Sequence, residues 1–314
     1  MISLRSRAPL RAALGLVASI AVATTAMADV PPSPAVIYGV GVDNIIYRVD
    51  TVAQSITAVE PSLSTGVKAN GFASDRDRGQ LFYFGSNGDL YYYDILATTN
   101  GTVASGTVFG NYNDYPPEDA MYYNNAFWYI GASGSTGVND NNVLYKAALT
   151  YSGSGVPSFS GPLVSYQLTL GGSTSGMLFG DIAVDANTGI LYGSTTPGSG
   201  GYFFSVDMSS LVSGSNNPVT ILSSGNSVGL QLAYSGDYAT LYGQQYITTG
   251  STSGQWFTVD TTNGAYNQIN GFVTNPGMRD LAGVAAVPEP GVIALGGIGA
   301  AALAFWRRRR RTTA

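Results

Sequence analysis

The stretch ASDRDRGQLF at residues 73–82 contains the pattern that decides the fold. Its Ala is followed by an Asp four residues later, a Gly at six, a Leu at eight and an aromatic residue at nine. Three similar copies begin at Ala120, Ala183 and Ala233, with Asn, Ala or Trp substituted at some of these positions. An Asp or Asn close to a small residue favours a tight turn between two strands, so each copy predicts a β-hairpin.

A second pattern follows each hairpin and consists of an aromatic residue, any residue, then Val, Tyr or Ala, and usually Asp. A turn-rich segment and another short alternating run come after it, so each repeat of about 50 residues supplies about four strands. Four strands per repeat is typical of a propeller blade. We therefore predict an all-β, five-bladed β-propeller over residues 35–286. The five copies of the second pattern are at residues 47–50, 91–94, 145–148, 204–207 and 257–260.

The first repeat lacks its opening strand, and residues 280–286 supply the missing pattern at the other end of the chain. We expect this C-terminal strand to complete the first blade and close the ring, which leaves only short edges. Six blades would follow if residues 151–170 were organised differently. A two-sheet β-sandwich is a further alternative.

Residues 1–28 have the features of a secretory signal peptide. A basic start precedes an apolar run at residues 12–23, and Ala26 and Ala28 form a small-x-small cleavage site. We expect this signal helix to direct export through the Sec machinery and to be removed. Residues 29–34 then form a linker. An uncut N-terminal membrane anchor is the alternative.

Residues 287–314 have the features of a membrane tail. The uncharged segment 291–306 would form a helix of about 24 Å, which is shorter than the roughly 30 Å hydrocarbon core, so snorkelling or local thinning must assist it. Five arginines follow, and basic flanks stay in the cytoplasm, which places the body on the outer side. The cluster consists of Arg307, Arg308, Arg309, Arg310 and Arg311.

The tripeptide Pro288, Glu289 and Pro290, the short helix and the basic end together resemble the PEP-CTERM sorting signal of Gram-negative bacteria, over about the last 27 residues. This resemblance implies that an exosortase, an integral-membrane cysteine transpeptidase, recognises the tripeptide and removes the tail. It also implies a route from an inner-membrane-anchored precursor, with its body in the periplasm, to the outer surface or an exopolysaccharide matrix. A tail anchor that is never cut is the alternative.

The composition excludes several classes of function. The chain has no Cys and no His, which excludes disulfides, a thiol nucleophile, a Cys/His zinc site and a Ser-His-Asp triad. Between Asp29 and Glu289 there are six basic and nineteen acidic residues, a net charge of −13. Because such a body repels phosphate backbones, we expect no nucleic-acid partner.

Polar residues two positions before each repeat's Ala should lie on the innermost strands, facing the central channel. Converging oxygens suit a hard cation such as Ca²⁺ or the hydroxyl groups of a sugar. The structural alternative is that they bond to neighbouring blades or line an inert channel. These positions hold Gly71, Glu118, Asp181, Gln231 and Asp280, of which the last four are the candidate ligand-binding residues.

Other repeated Asp residues are better explained by turn capping than by chemistry. The segments 75–79 and 185–189 look faintly like calcium loops, but they fall in predicted hairpin turns and lack the downstream Glu of an EF-hand. The Asp residues that end the second pattern are Asp50, Asp94, Asp207 and Asp260.

We expect a non-catalytic surface or matrix protein, without a cofactor, that binds glycans or another envelope component. The alternative from a different class is a carboxylate-dependent glycosidase or lyase acting in the channel, which requires carboxyl groups about 5 to 9.5 Å apart. A purely structural spacer is the third hypothesis.

Overall fold

The computed structural model describes residues 36–60, 63, 69–105, 109, 117, 119–131, 142–174, 179–245, 254–272 and 276–283. The predicted signal peptide, linker and tail helix lie outside these ranges, as do the PEP tripeptide and the Arg cluster. In the described part of the chain, no helix is long and apolar enough to cross a membrane.

The described strands form five sheets, which are the five blades, and their pairing is antiparallel except for one parallel pair. Blade 1 contains β1 (Val36–Gly41), β2 (Ile46–Asp50) and β3 (Ser55–Glu60), with the final strand β22 (Met278–Gly283) as its innermost strand. Blade 2 contains β4 (Asn70–Asp75), β5 (Gln80–Phe84), β6 (Leu90–Asp94) and β7 (Thr99–Ala104). Blade 3 contains β8 (Ala120–Tyr123), β9 (Ala126–Ile130), β10 (Val143–Tyr151), β11 (Pro157–Phe159) and β12 (Val164–Thr169).

Blades 4 and 5 have the same strand order from the inside outward. Blade 4 contains β13 (Phe179–Asp185), β14 (Ile190–Thr195), β15 (Phe203–Asp207) and β17 (Thr220–Ser223), and its β16 (Asn216–Pro218) pairs in parallel with β12 at the outer edge of blade 3. Blade 5 contains β18 (Leu230–Tyr234), β19 (Leu241–Gln245), β20 (Trp256–Val259) and β21 (Tyr266–Ile269). Short 3-10 helices at Pro197–Ser199 and Met208–Ser210 are the helical segments of the described residues.

The four predicted hairpins are confirmed, because the first Ala of each copy lies opposite its aromatic partner nine residues later. Ala73 pairs with Phe82, and the other three copies pair in the same way. The turn after β4 is capped by Asp75, whose Oδ1 accepts hydrogen bonds from the backbone N–H groups of Asp77 at 3.1 Å and Arg78 at 3.3 Å. Turn chemistry therefore accounts for this segment without a metal.

The second pattern lies on the third strand of each blade, and the Asp that ends it caps the following turn. Asp94 Oδ1, for example, accepts from the N–H groups of Leu96 at 3.0 Å and Ala97 at 2.8 Å. Asp50, Asp207 and Asp260 make equivalent bonds. The prediction that these carboxylates are structural is confirmed.

The ring closes as predicted. Strand β22 pairs antiparallel with β1, with Leu281 opposite Gly39, and the innermost strands neighbour one another in the cyclic order β22, β4, β8, β13 and β18. The first half of β10 pairs with β12 and its last part with β11, so residues 151–170 complete blade 3 and the six-blade and sandwich alternatives are wrong.

The apolar core lies between neighbouring blades. Phe84 of blade 2 meets Phe127 of blade 3 edge to face, with ring centroids 5.3 Å apart. Leu281 and Ile37 of blade 1 pack in one cluster with Trp256 of blade 5. Because each blade buries one face against each neighbour, the five sheets stabilise one another around the channel.

Candidate functional site

Two of the predicted channel residues, Asp181 and Asp280, are fully buried, and their carboxyl groups lie close enough to interact. Asp280 Oδ2 accepts from the backbone N–H of Phe72 in blade 2. Asp181 Oδ2 accepts from the N–H of Leu232 in blade 5 at 2.7 Å. Each carboxyl also accepts from the N–H of the residue that follows it, at 2.6 Å for Asp181 and 2.7 Å for Asp280. The two side chains thus connect blade 4 to blade 5 and blade 1 to blade 2.

Burial raises the pKa of Asp181 well above its ordinary value, because a charged carboxylate is poorly solvated there. The charges of Asp280 and Asp119 raise this pKa further, while the N–H of Leu232 acts in the opposite direction. Asp181 therefore keeps its proton at pH values at which an exposed Asp has lost it.

The remaining predicted channel positions differ from one another. Gln231 is buried, and its Oε1 has no hydrogen-bond partner among the described residues. Gly71 has a left-handed φ of 59°, and a Cβ there would lie 2.9 Å from the carbonyl oxygen of Pro117 in the next blade. Glu118 lies outside the described residues. Within the described ranges, no group of three or more acidic side chains is placed to hold a metal ion.

A further buried channel residue, Asp119, is missing from the sequence-based prediction. In the other blades, the repeat's Ala packs towards the following blade, as Ala183 does with Leu232. In blade 3 the residue after the Ala packs towards the following blade instead, since Met121 packs against Ile182 of blade 4. A shift of one residue moves every side chain to the other face, so Asp119 occupies the face equivalent to that of Asp181. The one sequence signal of this shift is Trp128, which replaces the usual Leu of the repeat.

A polar cavity of about 210 Å³ opens at the end of the channel where the inner hairpin turns of blades 2 to 5 lie. We call it the cup. Below it, a narrower cavity of about 40 Å³ inside the ring has room for only a few water molecules. Arg76 and Tyr238 line both cavities and lie between them. The polar and aromatic side chains of the cup are those of Ser74, Asp75, Arg76, Asp77, Tyr122, Tyr123, Asn124, Asn125 and Tyr238.

Arg76 is not neutralised by an ion pair within the described residues, where Arg48 and Arg78 are the paired cations. Its guanidinium carbon lies 3.8 Å from the ring centroid of Tyr238, a cation–π contact between blades 2 and 5. The Nε and Nη1 atoms of Arg76 are buried and have no hydrogen-bond partner in the described part of the chain. Arg78 differs, because it lies 2.7 Å from the Asp75 carboxylate.

Tyr238 has a left-handed backbone with φ of 58°, which is uncommon for a bulky side chain and costs conformational energy. Its own turn holds it there. The Tyr238 N–H donates to the Ser235 carbonyl at 2.9 Å, and Asp237 Oδ1 accepts from Ser235 Oγ at 2.7 Å and from the Ala239 N–H at 3.0 Å. The turn therefore presents the Tyr238 ring to Arg76.

The sequence identified Arg76 only as one of six basic residues in an acidic body and as part of a hairpin turn. Its contact with Tyr238 crosses from blade 2 to blade 5, two blades that are not adjacent in the ring. No local spacing connects these two turns. The cup could therefore be found only from the structure.

Comparison with known protein families identifies the end of the chain, since the PEP-CTERM protein-sorting motif matches residues 286–310. The chain carries a PEP-CTERM sorting tail. The PEP-CTERM match covers the Pro-Glu-Pro tripeptide, the segment 291–306 and most of the Arg cluster, and it confirms the resemblance seen in the sequence. A PEP-CTERM tail marks an exported protein that an exosortase sorts.

Among solved structures, a chain of a nidogen/laminin complex is similar to this protein. The two chains are 11% identical, with a TM-score of 0.46 and coverage of 77% of this chain and 80% of that one. A comparison with curated proteins found no match.

Proposed function

We propose that this exported PEP-CTERM protein is a non-catalytic surface or matrix component whose propeller binds a glycan in the cup. The observation that carries the proposal is the cup itself, in which aromatic, amide and charged side chains surround about 210 Å³. This volume is below the roughly 300–1,000 Å³ of pockets for drug-sized ligands, so it suits one sugar residue of a longer chain.

The chemistry of the cup matches that of a sugar. Asn124 is exposed and carries an amide that can donate to and accept from hydroxyl groups. The exposed carboxylate of Asp77 can accept from a hydroxyl, and the half-buried rings of Tyr122 and Tyr238 offer apolar surface next to polar tips. The PEP-CTERM tail supports this role, because it directs a protein to the compartment where envelope polysaccharides occur.

The channel interior supports a structural role for the carboxyl pair. Asp181 and Asp280 already bond to the backbone of neighbouring blades, and the space below Arg76 holds only water-sized groups. We therefore place the ligand in the cup and not among the channel carboxyls. The proposal requires no metal ion and no cofactor.

The test is a glycan array followed by equilibrium binding, with the full chain purified in a non-ionic detergent. Asn124 has a left-handed φ of 51°, so Asn124→Gly removes the amide while keeping a conformation that Gly adopts readily. We expect this variant to bind about 2- to 10-fold more weakly, as the loss of one hydrogen bond predicts.

The matched control is Thr98→Gly, at an exposed turn residue with φ of 52° outside the cup, which should leave the affinity unchanged. A wild-type chain that binds no glycan would overturn the proposed function. Glycan binding that Asn124→Gly leaves unaltered would remove the cup as its site.

A further inference from the structure

The charge of Arg76 is only partly compensated by the folded chain, through the Tyr238 side chain and the nearby Asp237. Two of its guanidinium nitrogens are buried without an acceptor among the described residues. A buried charged donor without a partner is costly, so native proteins that contain one generally need it for a bound group or a reaction.

A second, independent observation lies beside it. Tyr238, which supports the guanidinium, is held in a left-handed conformation that a bulky residue seldom adopts. Backbone strain of this kind concentrates at ligand sites, where the surrounding structure holds a side chain in position. The strained residue and the unpaired cation therefore occupy the same place.

We propose that Arg76 binds a carboxylate, so that the glycan of this site is acidic and presents a uronic-acid residue to the cup. This inference rests on the proposed function and specifies its ligand class. Guanidinium–carboxylate hydrogen bonds are charge-assisted and roughly twice as strong as neutral ones. The Tyr238 ring restrains the cation, which reduces the ordering needed when the ligand binds.

The acidic groups around the cup favour a ligand group with a single negative charge over one with several. Asp75 is paired with Arg78, and Asp185 and Asp237 accept hydrogen bonds from their own turns. Asp77 is exposed, where salt screens it. Because repulsion increases with ligand charge, these residues disfavour a phosphate ester more than a carboxylate.

The experiment compares oligogalacturonate with its neutral methyl ester, two ligands that differ only in the carboxylate. With the full chain in non-ionic detergent, we expect the acid to bind the wild type at least 10-fold more tightly than the ester. Arg76→Gln should abolish this preference, and Arg76→Lys should keep part of it. An oligosaccharide of the same length with one phosphate ester per sugar, which carries more negative charge, should bind more weakly than the uronate.

Arg48→Gln is the matched control, because it removes the same charge from a side chain that is 41% exposed and only 3.8 Å from Asp50. It should leave both affinities unchanged.

If the wild type binds acid and ester equally, the inference is wrong although the proposed function stands. If neither oligosaccharide binds but other glycans do, the carboxylate inference is also wrong. If no glycan binds at all, the proposed function itself fails. The acid and ester comparison in the wild type decides the matter even if Arg76→Gln does not fold.

Discussion

At the residue scale, the buried pair of Asp181 and Asp280 makes the stability of the folded chain depend on pH. The raised pKa of Asp181 means that the folded chain holds its proton more tightly than the unfolded chain does. Its stabilising contribution is complete below the ordinary Asp pKa of about 3.9 and is lost as the pH rises through the raised value. A carboxylate in an ion pair has the opposite pH dependence, because its stabilising contribution is lost as the pH falls.

We predict that the unfolding temperature of the wild type falls as the pH rises above the ordinary Asp pKa of about 3.9 and that Asp181→Asn reduces this slope. The amide does not titrate, although it can replace only one of the two acceptors for Ile182 and Leu232, which costs about 1–3 kcal/mol at every pH. Thermal unfolding of the full chain in non-ionic detergent, followed by tryptophan fluorescence, measures both effects.

The control is Asp207→Asn, at an exposed turn. Hydrogen bonds from Ser209 lower the pKa of Asp207, so its contribution is present above pH 4 and is lost only at lower pH. This variant should keep the wild-type slope above pH 4. An Asp181→Asn slope equal to that of the wild type would contradict the prediction.

Gly71 shows how the backbone limits a channel position. Its φ is 59°, and the Pro117 carbonyl oxygen would lie only 2.9 Å from any Cβ, so there is no place for a side chain. We predict that Gly71→Ala lowers the free energy of unfolding by about 1–3 kcal/mol. Gly153→Ala, at a site with no atom within 4 Å, should change it by less than about 0.5 kcal/mol. Equal unfolding temperatures for the two variants would show that Gly71 is not required.

At the element scale, the closing strand β22 joins the two ends of the propeller. It supplies the innermost strand of blade 1 and contacts the innermost strands of blades 5 and 2. The spacing of the repeats predicted this strand, because the missing Ala of the first repeat reappears at Ala282. The face of β8 on which each side chain lies could not be predicted in the same way. The spacing of residues along a strand is the same for both faces, and only packing against the neighbouring blades selects one of them.

We predict that Leu281→Ala destabilises the full chain by about 2–5 kcal/mol, because Leu281 is buried in the cluster with Trp256 and Ile37. Denaturation followed by Trp fluorescence should show an earlier transition. Leu96→Ala, in which the Leu is 50% exposed, is the matched control and should shift the free energy of unfolding by less than about 0.5 kcal/mol. Similar losses in both variants would mean that β22 does not hold the ring closed.

At the scale of the whole molecule, the propeller and the PEP-CTERM tail have separate tasks. The tail sorts the exported chain, and in the proposed function the ring presents the cup to its ligand. Because the Pro-Glu-Pro tripeptide follows β22 within a few residues, removal of the tail beyond it would leave the closing strand in the propeller.

We predict that the protein isolated from its cells has lost residues 1–28 and the segment after the Pro-Glu-Pro tripeptide. Intact mass and cell fractionation measure this. Changing Pro288, Glu289 and Pro290 to Ala should leave the tail attached and the protein in the membrane fraction, whereas Thr312→Ala should not. A wild-type mass that includes residues 291–314 would show that the tail is an uncut anchor.

The sequence by itself determined the hairpins, the closing strand and the sorting tail, and it favoured five blades, which the pairing of β10 with β11 and β12 then decided. Each of these depends on residues that are close in the chain or that recur at a fixed spacing, as in residues 73–82. Only the tertiary structure decided that Asp119 faces the channel, that Asp181 contacts Asp280, and that Arg76 meets Tyr238. These features involve repeats that are not neighbours in the chain. They also depend on which face of each innermost strand packs against the next blade, because a strand pattern with a period of two fits either face until the blades pack together.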